Sequence, residues 1–430
     1  MYLALIQSSL GPAFTFIYLV AIIAIPIVLF FELNKKWQKY LHAYYFNKQT
    51  YTVLELKIPK NNTKSPLAME IFLNALQQPG KDYEWRKKWW TGEVRAWFSL
   101  EICSFEGNVR FFIWTKTKYK DLLENQLYSQ YPDIEISDVG ARDYTYNIPF
   151  DESKYEYWAT EWRKREPSHL PIKTYMAFGL QDDPKEEFRI DPITPLFEFL
   201  GSLKKGEQVW YQICVRAHGK DKFDKGKGAY VDWKHAAQKD VLKLTKRDAP
   251  NKDDKFNFII LTKGEKQAAD AIEDNITKAA FDVGIRVIYA AEKSVYQKST
   301  VGRIKASFNQ FNAPNLNSFA RVNDIDDDKW RYHYLPFGNK RLSRHKKRLF
   351  DLYRHRSFFY RDFVPYPHKE EELISNFWVS DITTWFDSKI TTFSAEELAT
   401  IYHFPGEVAK TPSVNRVTAK KAEPPSNLPQ

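Results

Sequence analysis

The chain has 430 residues, of which 43% are hydrophobic and 16% aromatic, and its formal net charge is +10. This length is sufficient for two or three domains with packed cores. Cys103 and Cys214 are the two cysteines, and each lies among alternating apolar residues, which excludes a disulfide framework or a cysteine metal site and predicts two small core side chains.

The positive charge is concentrated in three stretches. Residues 34–48 contain four lysines and no acid, and residues 340–356 contain eight Lys or Arg against one Asp. Residues 408–430 contain four Lys or Arg against one Glu. The remainder is slightly acidic, so the composition indicates an ordinary body with three basic segments.

Residues 12–31 contain no charged side chain, and lysines follow this run without preceding it. About twenty apolar residues in a helix cross a bilayer. The sequence therefore predicts a short extracytoplasmic N-terminus over 1–11, a transmembrane helix over 12–31, and a single-pass inner-membrane protein whose body is cytoplasmic. A cleaved signal peptide is the alternative, but the leading positive charge and the small residues of a cleavage site are missing.

Two further segments combine basic and aromatic residues. Residues 32–50 predict a juxtamembrane helix that continues from the anchor. Residues 85–90 (WRKKWW) have three interpretations: a loop packed on a neighbouring strand, contact with the membrane surface, or stacking of single-stranded nucleic acid. The candidates for contact with membrane lipid are Lys35, Lys36, Trp37, Trp85, Arg86, Lys87, Lys88, Trp89 and Trp90.

The body begins with a pattern of strand, helix, strand, strand, helix and strand. Apolar residues alternate or recur at helical spacing over 51–58, 66–76, 98–102, 109–113, 119–130 and 134–136, with a turn at 106–108. This order is the ferredoxin-like arrangement, and we assign the first unit to residues 51–150.

A similar order predicts a second unit over residues 151–292. Its elements are strands over 172–180, 209–215, 256–261 and 285–289 and helices over 192–203 and 266–281. A polar insertion over 217–255, with one helix near 233–244, interrupts the unit. Residues 293–405 predict a mainly helical C-terminal part, with helices over 294–311 and 340–359, and residues 406–430 predict a proline-rich linker or tail.

The predicted fold is thus α+β, with an N-terminal transmembrane helix, two tandem ferredoxin-like (βαββαβ) units and a mainly helical C-terminal part. The sequence contains neither G-x-x-x-x-G-K-[ST] nor H-E-x-x-H. We therefore expect no catalytic, cofactor-binding or metal-binding residues and no enzymatic activity. A hydrolase with an unfamiliar site is the remaining enzymatic alternative.

Residues 340–356 (KRLSRHKKRLFDLYRHR) predict an amphipathic basic helix with Leu342, Leu349, Leu352 and Tyr353 on one stripe. Its charges suit DNA phosphates, anionic lipid or an acidic partner, and a solvated face is the simplest alternative. The candidate contact residues are Lys340, Arg341, Arg344, Lys347, Arg348, Arg354 and Arg356.

Four segments carry a resemblance to a known family: 54–68 (LELKIPKNNTKSPLA), 126–133 (QLYSQYPD), 396–406 (EELATIYHFPG) and 420–429 (KKAEPPSNLP). They resemble the membrane-anchored domain of uncharacterised function that precedes P-loop ATPases of the type IV secretion, conjugative DNA-transfer class. In that family the ATPase usually follows the linker, whereas this chain stops at Gln430. We expect the ATPase to be encoded separately or to have been lost by truncation.

The resemblance implies a non-enzymatic membrane anchor and docking component for a P-loop translocation ATPase, with homo-oligomers as a further expectation. The alternative is an independent envelope or pilus-associated protein that binds anionic lipid or DNA through its basic helix.

Overall fold

The computed structural model describes residues 2–59, 64–77, 87–140, 143–180, 191–219, 222–224, 229–231, 233–245, 261–325, 338–360, 390–406 and 416–417. The chain forms two compact units. Unit 1 comprises Met1–Gln49, Tyr83–Val94 and Asp362–Thr384, and unit 2 comprises Thr50–Asp82, Arg95–Arg361 and Trp385–Gln430.

Unit 1 contains one long helix, α1 (Tyr2–Asn47), and a π-helical turn over Lys87–Thr91. The indole Nε1 of Trp37 donates to the carbonyl oxygen of Trp89 at 3.1 Å, which joins the two elements. The large apolar side chains described from Tyr18 to Leu33 are exposed. Of the juxtamembrane helix predicted over 32–50, residues 32–47 are helical and form the last part of α1.

The prediction of a transmembrane helix over 12–31 is wrong. Of the helices in the described part of the chain, none combines the length and the apolar character needed to cross a membrane. The predicted inner-membrane location is overturned by the same finding.

Unit 2 is built on a ten-stranded sheet. Its strands are β1 (Tyr51–Pro59), β2 (Phe98–Phe105), β3 (Asn108–Lys116), β4 (Glu135–Asp138), β5 (Tyr155–Lys164), β6 (Glu207–Ala217), β9 (Ala280–Glu292), β10 (Phe319–Val322), β11 (Thr391–Ser394) and β12 (Arg416–Val417). A separate hairpin pairs β7 (Lys222–Asp224) with β8 (Ala229–Val231).

The described helices of unit 2 are α2 (Pro66–Leu76), α3 (Lys120–Gln130), α4 (Thr194–Gly201), α5 (Trp233–Leu244), α6 (Lys263–Thr277), α7 (Lys298–Ala306), α8 (Gly338–Arg354) and α9 (Ala395–Ile401). The predicted helices near 66–76, 119–130, 192–203 and 233–244 are confirmed. The hairpin between β2 and β3 turns through Glu106 and Gly107, whose φ angles of 54° and 88° both suit a two-residue loop.

The strands follow the order β10-β5-β9-β6-β2-β3-β1, with β4 and β12 both paired to β1 and β11 paired to β9. All of these pairings are antiparallel except β1 with β12. The strands on the two sides of the β2–β6 pair are arranged in the same way. From the pair outward, one side has β2, β3, β1 and β4, and the other has β6, β9, β5 and β10.

The prediction of two tandem ferredoxin-like units is wrong, because the eight-residue pairing of β2 with β6, from Phe98↔Val215 to Phe105↔Gln208, joins both regions into one continuous sheet. The proposed boundary at residue 292 is also wrong, since β10 belongs to this sheet. The strand predicted over 172–180 is a short 3-10 turn, Tyr175–Phe178. There, the backbone N–H groups of Ile172 and Tyr175 donate to the side chains of Glu397 and Thr400 instead of to another strand.

In the described residues of 293–405, most of the regular structure is helical, as predicted (α7, α8 and α9), but β10 and β11, which were not predicted, both join the sheet. Phe319 of β10 and Phe393 of β11 are buried, and their rings stack with centroids 6.1 Å apart. Burial of these rings favours the extended conformation of both segments. The predicted strand over 256–261, apart from Leu261, and most of the tail over 406–430 lie outside the described residues.

Gly284 of β9 provides a test of the packing on this sheet. A Cβ atom at this position would overlap the Phe358 ring. We expect Gly284→Ala to lower the free energy of unfolding by about 1–3 kcal/mol, because the ring and its backbone must move. Urea unfolding measures the loss.

Gly302→Ala is the matched control, because an added Cβ meets nothing within 4 Å in α7. It should stabilise the protein by up to about 1 kcal/mol through helix propensity. Equal effects of the two substitutions would contradict the packing described for Gly284.

Candidate functional site

The helix α8 has one basic side and one buried side. His345, Lys346, Leu349, Phe350 and Tyr353 are its buried residues. Successive residues are rotated by about 100° around the helix axis, and the basic residues opposite the buried side fall within a sector of about 120°. This side, the basic face, consists of Lys340, Arg341, Arg344, Lys347 and Arg348.

Most of the basic face is exposed. Lys340, Arg341, Arg344 and Lys347 are exposed, and Arg348 is half-buried. The structure thus brings five of the seven predicted contact residues of this helix together on one side. Leu349 and Tyr353 of the predicted apolar stripe are fully buried, whereas Leu342 and Leu352 are half-buried.

Arg354 and Arg356, the other two predicted contact residues, point into unit 2. Arg354 donates from Nε to the carbonyl oxygen of Thr145 at 3.1 Å and from Nη2 to that of Ile148 at 2.8 Å. Arg356 is 0% exposed, so it presents no surface to an external ligand. The charge of Arg356 was evident from the sequence, but its burial was not.

Arg356 binds two buried carboxylates at once. Its Nε and Nη2 atoms donate to Oε1 and Oε2 of Glu101 at 2.9 and 3.1 Å. Nη2 also donates to Oδ1 of Asp143 at 3.1 Å, and Nη1 donates to Oδ2 of the same residue. A planar guanidinium can form bidentate hydrogen bonds with a carboxylate, which a lysine cannot reproduce.

Glu101 is the first residue of a polar row that crosses the sheet. Glu101 of β2 lies opposite Gln212 of β6, which lies opposite Arg286 of β9, which lies opposite Glu161 of β5. Directly opposite residues on neighbouring strands point to the same face of a sheet. All four side chains of the polar row are 0% exposed.

Hydrogen bonds link the polar row from end to end. Gln212 Nε2 donates to Glu101 Oε1 at 3.1 Å, and Arg286 Nη1 donates to Gln212 Oε1 at 3.3 Å. Arg286 Nη2 donates to Glu161 Oε1 at 2.6 Å, and Asn323 Nδ2 donates to Glu161 Oε2 at 2.7 Å. Buried charges are tolerated when they are paired and hydrogen-bonded in this way.

The polar row also holds the C-terminal end of α8. Gln212 Nε2 donates to the carbonyl oxygen of Tyr353 at 2.9 Å, and Arg286 Nη2 donates to that of Ser357 at 3.4 Å. Tyr144 donates its hydroxyl to Glu101 at 2.7 Å and lies 2.8 Å from the Tyr353 hydroxyl. The network therefore fixes the helix that carries the basic face.

Burial and the neighbouring charge have opposite effects on the pKa of Asp143. Burial disfavours its ionised form, but the charge of Arg356 and hydrogen bonds from Arg356 and Thr145 outweigh burial and lower the pKa of the carboxyl. For Arg356, burial favours loss of the proton, but Asp143 and Glu101 raise the pKa well above its ordinary value. The pair is ionised at neutral pH.

The two cysteines are buried and form no disulfide, as predicted. Burial raises the pKa of the Cys214 thiol to about 12. Burial, followed by the charge of Glu101, raises the pKa of the Cys103 thiol further. A neutral buried thiol is a poor nucleophile, so both behave as core residues.

The aromatic and basic candidates of unit 1 do not form a comparable cluster among the described side chains. Lys35 pairs with Glu32 at 2.8 Å. Trp37 binds the backbone of Trp89, and Trp90 is 71% exposed. Trp85 and Arg86 lie outside the described residues, as do the side chains of Lys87 and Lys88.

Comparison with known protein families gives one match. A model described as a domain of unknown function (DUF8128) matches residues 32–417. The chain belongs to this family. No curated protein matches the chain. These comparisons support kinship with an uncharacterised domain and do not connect it to type IV secretion ATPases, so that finer assignment has no support from them.

Loss of the Arg356 side chain tests the buried network. Arg356→Gln leaves Glu101 and Asp143 as buried carboxylates without a cation, so we expect a loss of about 3–5 kcal/mol in the free energy of unfolding. Arg303→Gln is the control, because Arg303 is exposed and contacts the neutral side chains of Ser202, Thr300 and Phe199, so its loss should cost less than about 1 kcal/mol. Similar losses for both, measured by urea unfolding, would contradict the network.

Acid should weaken the same network. Because the pKa of Asp143 is below its ordinary value of 3.8 in the folded protein, its ion pair stabilises the fold above that pH. This contribution is lost as the pH falls through the lower folded-state pKa. Urea midpoints measured between pH 6 and 2 should fall less steeply in Asp143→Asn than in the unsubstituted protein; parallel curves would exclude Asp143 as a source of the acid sensitivity.

Proposed function

We propose that this chain is a non-enzymatic docking module whose basic face binds an acidic surface of a partner protein. The observation that carries the proposal is the division of α8 into two opposite sides. One side is fixed by the buried network, and the other presents five cations within about one third of the helix circumference. A fixed array of charges loses little conformational entropy when it binds.

The charge on α8 is not balanced within the helix. Asp351 is the sole acid between residues 338 and 354, and it lies about one turn beyond Lys347. Burial raises the pKa of Asp351, against the opposing effects of Lys347 and Arg354. The cations at 340, 341 and 344 precede it by more than one turn, which favours an acidic ligand supplied from outside the helix.

The partner that we propose is a P-loop translocation ATPase of the type IV secretion class, and this assignment rests on the sequence resemblance. Residues of that resemblance pack together in unit 2. Tyr131 of the segment QLYSQYPD contacts Phe404 of the segment EELATIYHFPG, with ring centroids 4.8 Å apart. This contact supports the proposal that the chain shares the fold of the family that it resembles. The basic face supplies the surface for docking.

Binding of DNA by the same face is the second candidate function. Lys and Arg at helical spacing suit the phosphates of a duplex, and such binding weakens steeply with salt as counterions are released. The basic face carries no base-reading arrangement that favours a sequence. A DNA-binding role would therefore be sequence-independent.

Charge reversal on the basic face tests the proposal. The variant Arg344→Glu, Lys347→Glu, Arg348→Glu should abolish co-purification of a P-loop ATPase from the native cell extract, because like charges would face the acidic partner. The same variant should also lose binding to a double-stranded DNA 20-mer if DNA is the ligand. Pull-down with mass spectrometry and fluorescence anisotropy measure the two activities.

The matched control is Lys204→Glu, Lys205→Glu, Lys298→Glu, which reverses three exposed lysines elsewhere on unit 2. Both variants change the net charge equally. Loss of binding only in the α8 variant supports docking through the basic face. Recovery of no ATPase by the unsubstituted protein would remove the proposed partner, and unchanged binding in the α8 variant would remove the proposed surface.

A further inference from the structure

An exposed aromatic ring lies at the C-terminal end of α8, next to the basic face. Arg354 is two helical turns beyond Lys347, on the same side of the helix. Its guanidinium carbon lies 4.8 Å from the centroid of the Tyr146 ring and 4.6 Å from that of Phe350. Tyr146 is 45% exposed, so a large part of its surface is accessible to a ligand.

Contacts within unit 2 hold this ring in position. Tyr146 ends the short 3-10 turn that follows Asp143, whose side chain accepts a hydrogen bond from the backbone N–H of Thr145 at 3.0 Å. Asp143 is itself bound by Arg356, and Arg354 donates to the carbonyl oxygen of Thr145 at 3.1 Å. An aromatic side chain that is already ordered loses little entropy when a partner binds, so Tyr146 suits the role of an anchor.

A carboxylate lies between the basic face and this ring. Asp351 is four residues after Lys347 and three before Arg354, on the same side of α8. It is half-buried and forms neither an ion pair nor a side-chain hydrogen bond with any described residue. A partly desolvated carboxylate gains from a hydrogen-bond donor that a ligand supplies. The helix surface thus presents a row of cations, then an anion, then an aromatic ring.

This order of groups favours a protein over a nucleic acid. A phosphate backbone carries negative charge throughout, so Asp351 repels it. A protein can place acidic residues opposite the basic face, a cation opposite Asp351 and an apolar side chain against Tyr146. Tyrosine and arginine, the two residues of the stack, are also enriched in interfaces between proteins.

We propose that the docking surface continues from the basic face across Asp351 to Tyr146, and that it binds a protein segment in which acidic residues adjoin a cation and an apolar side chain. A rise of about 1.5 Å per residue places Lys347 about 10 Å from Lys340, and Asp351 about 6 Å beyond Lys347. An extended peptide covers these lengths with about three and about two residues. This inference rests on the proposed function and specifies the chemistry of the partner.

Binding of labelled peptides to the full chain, measured by fluorescence anisotropy, tests the proposal. The mixed peptide Glu-Glu-Glu-Glu-Gly-Lys-Leu and its reversed sequence cover both chain directions, and Glu-Glu-Glu-Glu-Gly-Ser-Gly is the acidic control. One mixed peptide should bind about fivefold more tightly than the acidic control, although its net charge is less negative. Attraction to the basic face alone gives the opposite order, so a control that binds as tightly as both mixed peptides overturns the proposal.

Substitutions assign this gain in affinity to its residues. Tyr146→Ala should remove the gain, whereas Tyr146→Phe should keep it because the ring remains. Tyr128→Ala in α3 is the matched control, since Tyr128 is 42% exposed and its loss should change no affinity. Asp351→Asn should weaken binding of the mixed peptide about threefold and strengthen that of the acidic control. Equal effects of Tyr146→Ala and Tyr128→Ala would exclude Tyr146 as the anchor.

A DNA 20-mer separates this proposal from its alternatives. Asp351→Asn should strengthen DNA binding, and Tyr146→Ala should leave it unchanged. Tighter binding of DNA than of any peptide, with a loss in Tyr146→Ala, would overturn the protein partner in favour of a nucleic acid. Absence of binding to the acidic control refutes the proposed function, whereas binding without a gain for either mixed peptide refutes only the extension to Asp351 and Tyr146.

Discussion

The arrangement of unit 2 depends on the buried charge of Arg356. Removing a guanidinium and two carboxylates from water costs several kcal/mol for each ion, and the cost is offset only when every partner is in place. β2 supplies Glu101, the loop after β4 supplies Asp143, and the turn after α8 supplies Arg356. A shift of one residue in β2 would turn Glu101 to the other face, so the ion pair specifies the register of the sheet as well as the position of the helix.

One helix therefore links two different electrostatic environments. At its inner, C-terminal end, the buried charge of Arg356 is matched by Glu101 and Asp143, and burial limits the screening of these charges by salt. On its outer side, Lys340, Arg341, Arg344 and Lys347 face water, where their field attracts an acidic ligand and is screened by salt. The inner charges determine geometry, and the outer charges determine which ligands are attracted.

Local sequence patterns predicted much of unit 2 and little of its assembly. Alternation identified β1, β2, β3 and β6, and helical spacing identified α2, α3, α4 and α5, because these signals depend on neighbouring residues. The position of β9 between β5 and β6 depends on contacts over long distances in the chain, which periodicity does not contain. The basic face was predicted from residue type, whereas the burial of Arg356 was not. One signal was available: Glu101, Gln212 and Arg286 each interrupt an apolar strand, which indicates a buried polar partner.

The sheet ends in short strands within the described residues. β4 and β10 each have four residues, and they lie at opposite ends of the strand order. Among the described residues, no further strand pairs with their outer edges, which offer few backbone groups, and the acidic Glu135 and Asp138 occupy the ends of β4. Short, charged edges hinder the addition of further strands from other molecules. The extended, strongly apolar strands are thereby confined to the interior of the sheet, and this arrangement protects a wide β structure against self-association through its edges.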